Sequence, residues 1–182
     1  MLDKSGNNND WVQTTGTLKP VYKTSGGLRW LKYDGLDDFL SVASISLTSG
    51  MSSFVALDRV TDTSWVLGYA SNGDANRTYC IGAASASNSY GSGVGSSPTM
   101  RVNAAAIGAT RQNLLDACPS NTPVVFTAEN LNLSTWTSFA ACGWSSFEFG
   151  GRIFGLIVAP NASAADRNST ERWLAAKAGI TF

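Results

Sequence analysis

Short runs rich in β-branched and aromatic residues recur along the chain, separated by clusters of Gly, Ser, Asn and Asp. Arg29-Trp30-Leu31-Lys32-Tyr33 leads through Asp34-Gly35 to Phe39-Leu40-Ser41-Val42, and further runs of this kind occupy 53–60, 65–69, 78–81, 99–102, 123–128, 133–137, 146–149 and 152–158. Many short strands between turn residues predict a sandwich or barrel. The run 153–158 is apolar at successive positions, where a strand with one wet face would alternate, so both its faces are expected to be covered.

The periodicity changes near the C-terminus, where residues 163–178 read as a helix. Ser163 stands as its N-cap, with Asp166 three residues on in the manner of a capping box, and Gly179 is placed to end it in the left-handed conformation. Ser169, Thr170, Trp173, Leu174 and Ala176 are assigned to one side, and Arg167, Asn168 and Glu171 to the other. Trp173 and Leu174 are therefore expected to dock the helix over the apolar strand, with the tail Ile180-Thr181-Phe182 docking beside it. Residues 83–97 are almost all Ala, Ser and Gly and read as a surface loop between strands.

Composition narrows the function. Lys+Arg and Asp+Glu balance at 13 each, so no basic field draws a phosphate backbone and no nucleic-acid partner is expected. No run approaches the length that crosses a bilayer, no leader precedes Leu2-Asp3-Lys4, and no membrane partner is expected. Cys80, Cys118 and Cys142 are widely spaced, which reads as buried thiols and neither a disulfide framework nor a zinc site. The chain has no His, which removes Ser-His-Asp and Cys-His catalysis. Glu129, Glu148 and Glu171 are far apart; Asp58 with Asp62, or Asp37 with Asp38, would pair carboxylates only by chance. The chain is thus read as non-catalytic, without cofactor or metal. Asp34-Gly35 with Asp37-Asp38, Asn7-Asn8-Asn9-Asp10 and 72–76 are read as turn chemistry before calcium ligation.

Three segments carry a family resemblance. Leu2-Asp3-Lys4-Ser5-Gly6-Asn7-Asn8-Asn9 is similar to the opening element of the laminin-G-like jelly-roll branch of the concanavalin A-like lectin/glucanase superfamily. Leu31-Lys32-Tyr33-Asp34-Gly35-Leu36-Asp37-Asp38-Phe39-Leu40 resembles its strand-turn-strand. Gly151-Arg152-Ile153-Phe154-Gly155-Leu156-Ile157, with Glu171-Arg172-Trp173-Leu174-Ala175-Ala176-Lys177-Ala178-Gly179-Ile180, resembles its closing strand and helix. The middle of the chain, about 60–140, carries no matching motif. The resemblance implies an all-β fold: an antiparallel two-sheet jelly-roll sandwich with one C-terminal α-helix, in a single domain over 1–182. Members of the branch have a further strand ahead of the opening element, and its absence here would leave one sheet edge open to another chain.

The same fold carries enzymes, lectins and virus parts. The resemblance, taken with the lack of a catalytic set, implies a structural or decoration component of a bacteriophage virion. Its expected partners are other virion proteins of capsid or tail and further copies of itself, with Trp11, Lys4 and Asp10 as interface candidates. A carbohydrate-binding adhesion module, recognising host-surface glycan, is the alternative. Trp11, Trp65, Tyr69, Tyr90, Trp136 and Trp144 are the aromatics considered for stacking on sugars, with core packing the default for each Trp. Tyr90, set among small residues with nothing obvious to pack against, and Trp144 are the glycan-binding candidates.

Overall fold

The computed structural model describes residues 1–43, 45–60, 64–68, 77–81, 88–90, 94, 98–141 and 149–182, with the backbone alone for 64–68 and 77–81. The strands are β1 (Val21–Ser25), β2 (Leu28–Asp34), β3 (Leu40–Ala43), β4 (Ser49–Arg59), β5 (Ser64–Gly68), β6 (Arg77–Ile81), β7 (Thr99–Val102), β8 (Ala105–Ile107), β9 (Val124–Asn132), β10 (Ser138–Ala141) and β11 (Gly150–Pro160). The helices are α1 (Arg111–Ala117) and α2 (Ala164–Ala178). One sheet runs β1-β2-β11-β4-β9-β7-β8 and the other β3-β10-β5-β6, with every strand pairing antiparallel.

Alternation along the central strands explains why both faces of the larger sheet are covered at its centre. Met51, Val55 and Leu57 of β4 and Val124, Phe126 and Ala128 of β9 point inward, where they meet Val42 of β3 and Phe139 and Ala141 of β10 in one core between the sheets. Phe54 and Ala56 of β4 and Val125 of β9 point the other way, into a second cluster with Leu174, Ala175 and Ala178 of α2. β11 serves both: Ile153, Leu156 and Val158 meet the inner core, while Phe154 and Ile157 meet the helix layer. The molecule is thus an antiparallel β-sandwich with a helix over the outer face of its larger sheet. A strand that packs against a layer on each face has no need to alternate, which accounts for the continuous run at 153–158, although only Ile153 in it is fully buried.

Both ends of α2 form as the sequence predicts. Ser163 Oγ accepts from the Asp166 N–H at 3.2 Å, and Gly179 closes the helix at φ 73°. Its docking face is another matter. Glu171, Leu174, Ala175 and Ala178 are buried, whereas Trp173 is 54% exposed with the Lys177 ammonium 4.8 Å from its ring centre. Glu171, assigned to the outer side, is buried because the Thr127 hydroxyl donates to its carboxylate at 2.7 Å. The helix sits close to the sheet through small side chains, and the large indole is displaced to the rim. Leu174→Ala is therefore expected to destabilise the fold by about 2–5 kcal/mol, and Trp173→Ala by less than about 0.5 kcal/mol, both read by urea unfolding. The reverse order of effects would contradict this docking. Ile180 of the tail packs under the helix, but Phe182 is exposed.

Other expectations need correction. A second helix exists: α1 begins at Thr110, whose side chain accepts from the Asn113 N–H, and it buries Leu114. Residues 133–137 are not a strand. The chain turns there, with the Trp136 N–H donating to the Leu133 carbonyl at 2.9 Å and both side chains buried, and the strand starts at Ser138. Within 83–97 only 88–90 and 94 are among the described residues, and there Ser89 and Val94 are fully buried, against the surface-loop reading. Residues 72–76 and 146–148 lie outside the described residues.

Candidate functional site

The first eleven residues fold into a closed loop organised by Asp3. Its carboxylate accepts from the Ser5 and Asn9 N–H groups at 2.8 and 2.9 Å and from the Ser5 hydroxyl at 2.8 Å. Asp10 in turn accepts from the Asp3 N–H at 2.7 Å, and the Trp11 N–H donates to the Met1 carbonyl at 2.9 Å. This is turn chemistry, as expected for Asn7-Asn8-Asn9-Asp10. The Ser5 N–H, followed by that of Asn9, holds the Asp3 carboxyl below the ordinary aspartate range. A carboxyl lowered by folding supports the folded state above its unfolded pKa, and that support disappears as pH falls through the folded value. The Ser5 and Asn9 amide resonances are therefore expected to shift together in acid, at a midpoint below that of a free aspartate. Asp3→Asn should remove the transition, and a midpoint at or above the free value would contradict this loop.

Downstream of the loop, Val12 makes two backbone bonds with Ser41 of β3, which anchors the segment to the edge of the smaller sheet. Trp11 is half-buried and lies over Phe139, with ring centres 6.2 Å apart and planes at 27°. Of the three interface candidates, Trp11 is packed partly on its own sandwich, Asp10 is occupied within the loop, and Lys4 is exposed.

Between this loop and the sandwich lies an open cleft of about 760 Å³. Leu2, Lys4 and Trp11 of the N-terminal segment, Ile45 and Leu47 beyond β3, and residues 155–158 of β11 line it. Trp173 stands at the rim from the helix layer. Met1, Leu2 and Trp173 are 44%, 66% and 54% exposed, an unusual concentration of bare apolar surface on one feature. The sequence showed Leu2 and Trp173 as apolar residues, but their convergence depends on how the loop and α2 are placed against one strand.

A second concavity, of about 580 Å³, lies on the outer face of the larger sheet, with Trp30, Lys23, Lys32, Asn121 and Arg152 among its lining residues. The Arg152 guanidinium lies 5.5 Å from the Trp30 ring centre and is held by Asp58, a carboxylate 2% exposed. Trp30 was not among the glycan candidates read from the sequence. Of those that were, Tyr90 is half-buried and packs against the inner core, contrary to the expectation that it lacked a packing partner. Trp144 lies outside the described residues, as does Tyr69. Trp65 is described only as backbone in β5, and Trp136 is core.

Several of the described carboxylates are bound to structural partners. Asp58 holds Arg152, Glu129 holds Arg101 at 3.2 Å and Arg167 at 3.1 Å, and Glu171 accepts from Thr127. Asp62 and Glu148 lie outside the described residues. The carboxylate oxygens of Asp34, Asp37 and Asp38 lie within 4.8 Å of one another, and two of the three accept hydrogen bonds from the turn. Asp34 accepts from the Leu36 and Asp37 N–H groups, and Asp38 from the Asp34 N–H. Burial alone would raise the Asp34 carboxyl, yet those N–H bonds bring it down, whereas burial leaves Asp38 raised. Burial also pushes the Cys118 thiol up to about 12, with Arg59 offsetting only part of the effect. Cys80 is described only as backbone, and Cys142 lies outside the described residues. No helix among the described residues is long and apolar enough to cross a membrane.

No protein-family model, curated protein or solved structure matches the chain.

Proposed function

We propose that this chain is a non-catalytic structural or decoration component of a bacteriophage virion, built on a jelly-roll sandwich and acting through protein–protein contacts. The observation that carries the reading is the apolar cleft beside the N-terminal loop, with Met1, Leu2 and Trp173 bare at its margin. Exposed apolar surface of this kind, rimmed by polar residues such as Lys4, Ser5 and Asn7, is typical of a protein contact and costs solubility otherwise. The assignment to a virion rests on the resemblance of the opening, strand-turn-strand and closing segments. Equal numbers of acidic and basic residues suit a part packed among many copies, where like charge would accumulate.

The test separates contact from stability. Leu2→Asp combined with Trp173→Glu alters two exposed side chains and should leave the circular dichroism spectrum and unfolding midpoint unchanged. Its incorporation into particles purified from producing cells should fall by at least about tenfold, the effect of losing roughly 1.4 kcal/mol of contact energy. Normal incorporation of the folded variant would contradict the reading.

A carbohydrate-binding adhesion module is the second reading, and the Trp30 concavity favours it. The half-buried Trp30 indole carries the Arg152 guanidinium over its ring, and Asn121, Lys23 and Lys32 line the same concavity as polar groups for sugar hydroxyls. Glycan binding lost on Trp30→Ala, in a chain absent from particles, would put this reading first.

A further inference from the structure

We propose that the cleft receives an extended segment of a partner protein, which joins the larger sheet as an added strand along the free edge of β11. This deepens the reading of the cleft as a protein contact and rests on it. β11 runs from Gly150 to Pro160, yet β2 pairs only with its first four residues, Gly150 to Ile153. Past that point β4 is the one strand paired with β11 among the described residues, through to Pro160. The register shifts between Ile153 and Gly155, and β2 begins at Leu28, only three residues beyond the last paired position Leu31, so the far end of β11 overshoots its neighbour.

Burial shows the consequence. β4, next to β11, is buried at every position from Met51 to Arg59, whereas β11 is only partly buried from Phe154 to Ala159. A strand third in an order of seven is ordinarily interior. Gly155, Leu156, Ile157 and Val158 all line the cleft. Successive residues of a strand point to opposite faces, so a cleft touching all of them runs along the strand's edge. Alternate N–H and C=O groups along 155–158 therefore face the cleft, and an added backbone is the partner that satisfies them in series.

The walls specify the occupant. On the inner side, Val42, Met51 and Phe139 accompany Leu156 and Val158; on the helix side are Ile157 and the rim residue Trp173. An incoming strand would thus present apolar residues inward and tolerate small polar ones outward, where Lys177 already stands by Trp173. The open edge is about 20 Å long, enough for a strand of about six residues.

The probe is a capped peptide of about seven residues alternating Val and Thr, matched by a copy N-methylated at every second nitrogen. With the unmodified peptide, amide exchange at 156–159 of the full chain should slow by about tenfold or more, as for any newly paired strand. The N-methylated copy, which keeps the side chains but lacks the donors, should give no such protection. The same peptide tethered ahead of Met1 by a Gly-Ser linker, at roughly millimolar effective concentration, should raise the unfolding temperature. A central Pro in the tethered strand should abolish the gain. Equal binding of both peptides without protection of β11, or no effect of the tethered strand, would overturn strand addition. If the Leu2→Asp, Trp173→Glu chain is nonetheless excluded from particles, the protein-contact reading survives and only its mode is wrong.

Discussion

Gly151→Ala is expected to cost about 3 kcal/mol or more, and to leave little folded protein. Gly151 has φ 153°, a conformation that residues with a Cβ rarely adopt. A Cβ built there would lie 2.1 Å from the Asp58 carbonyl oxygen, 2.9 Å from Phe149 Cζ and 3.0 Å from Arg59 Cα. Two of those atoms are backbone of β4, the central strand of the larger sheet, and cannot swing aside. Backbone strain of about 1–3 kcal/mol adds to an overpacking cost of similar size. Against the usual total stability of about 5–15 kcal/mol, that removes much of the margin. A purified Gly151→Ala chain with an unchanged urea midpoint would show that β11 and β4 are not packed as described.

Trp136→Ala is expected to cost about 3–5 kcal/mol, the range for truncating a buried Trp. The indole is 1% exposed and meets Phe139 edge to face, with ring centres 5.2 Å apart. It also anchors the turn into β10, so its loss should loosen the smaller sheet along with the core. The unfolding midpoint should fall while Trp136→Phe recovers part of the loss. If Trp136→Ala instead leaves stability intact and abolishes sugar binding, Trp136 is a surface stacking residue and this core is misassigned.

Features set by local chemistry were legible in the sequence. Strand runs at 29–33, 53–60, 99–102 and 152–158 correspond to β2, β4, β7 and β11, and the Ser163 and Gly179 caps bound α2. The facing of α2 was misread because the largest apolar residue was taken as its anchor. The spacing of Glu171, Leu174, Ala175 and Ala178 marks the buried stripe better, since residues three and four apart share a face. Two local signals went unused: the Gly26-Gly27 pair that joins β1 to β2, and Thr110 at the start of α1. Residues 133–137 have strand composition, but burying both Leu133 and Trp136 requires a turn. That demand comes from the rest of the core and is invisible in a local window. The cleft was not legible for the same reason. The run 153–158 announced two covered faces, while the free edge depends on β2 stopping short, a property of pairing between distant segments.

An electron cryo-microscopy map of particles purified from producing cells tests the proposed virion role most directly. The proposed role predicts that these particles contain the chain, with continuous density from a neighbouring protein in the cleft, in contact with Leu2 and Trp173 and running beside residues 155–160. A virion in which that cleft faces open solvent, or a purified virion that lacks the chain, would contradict it.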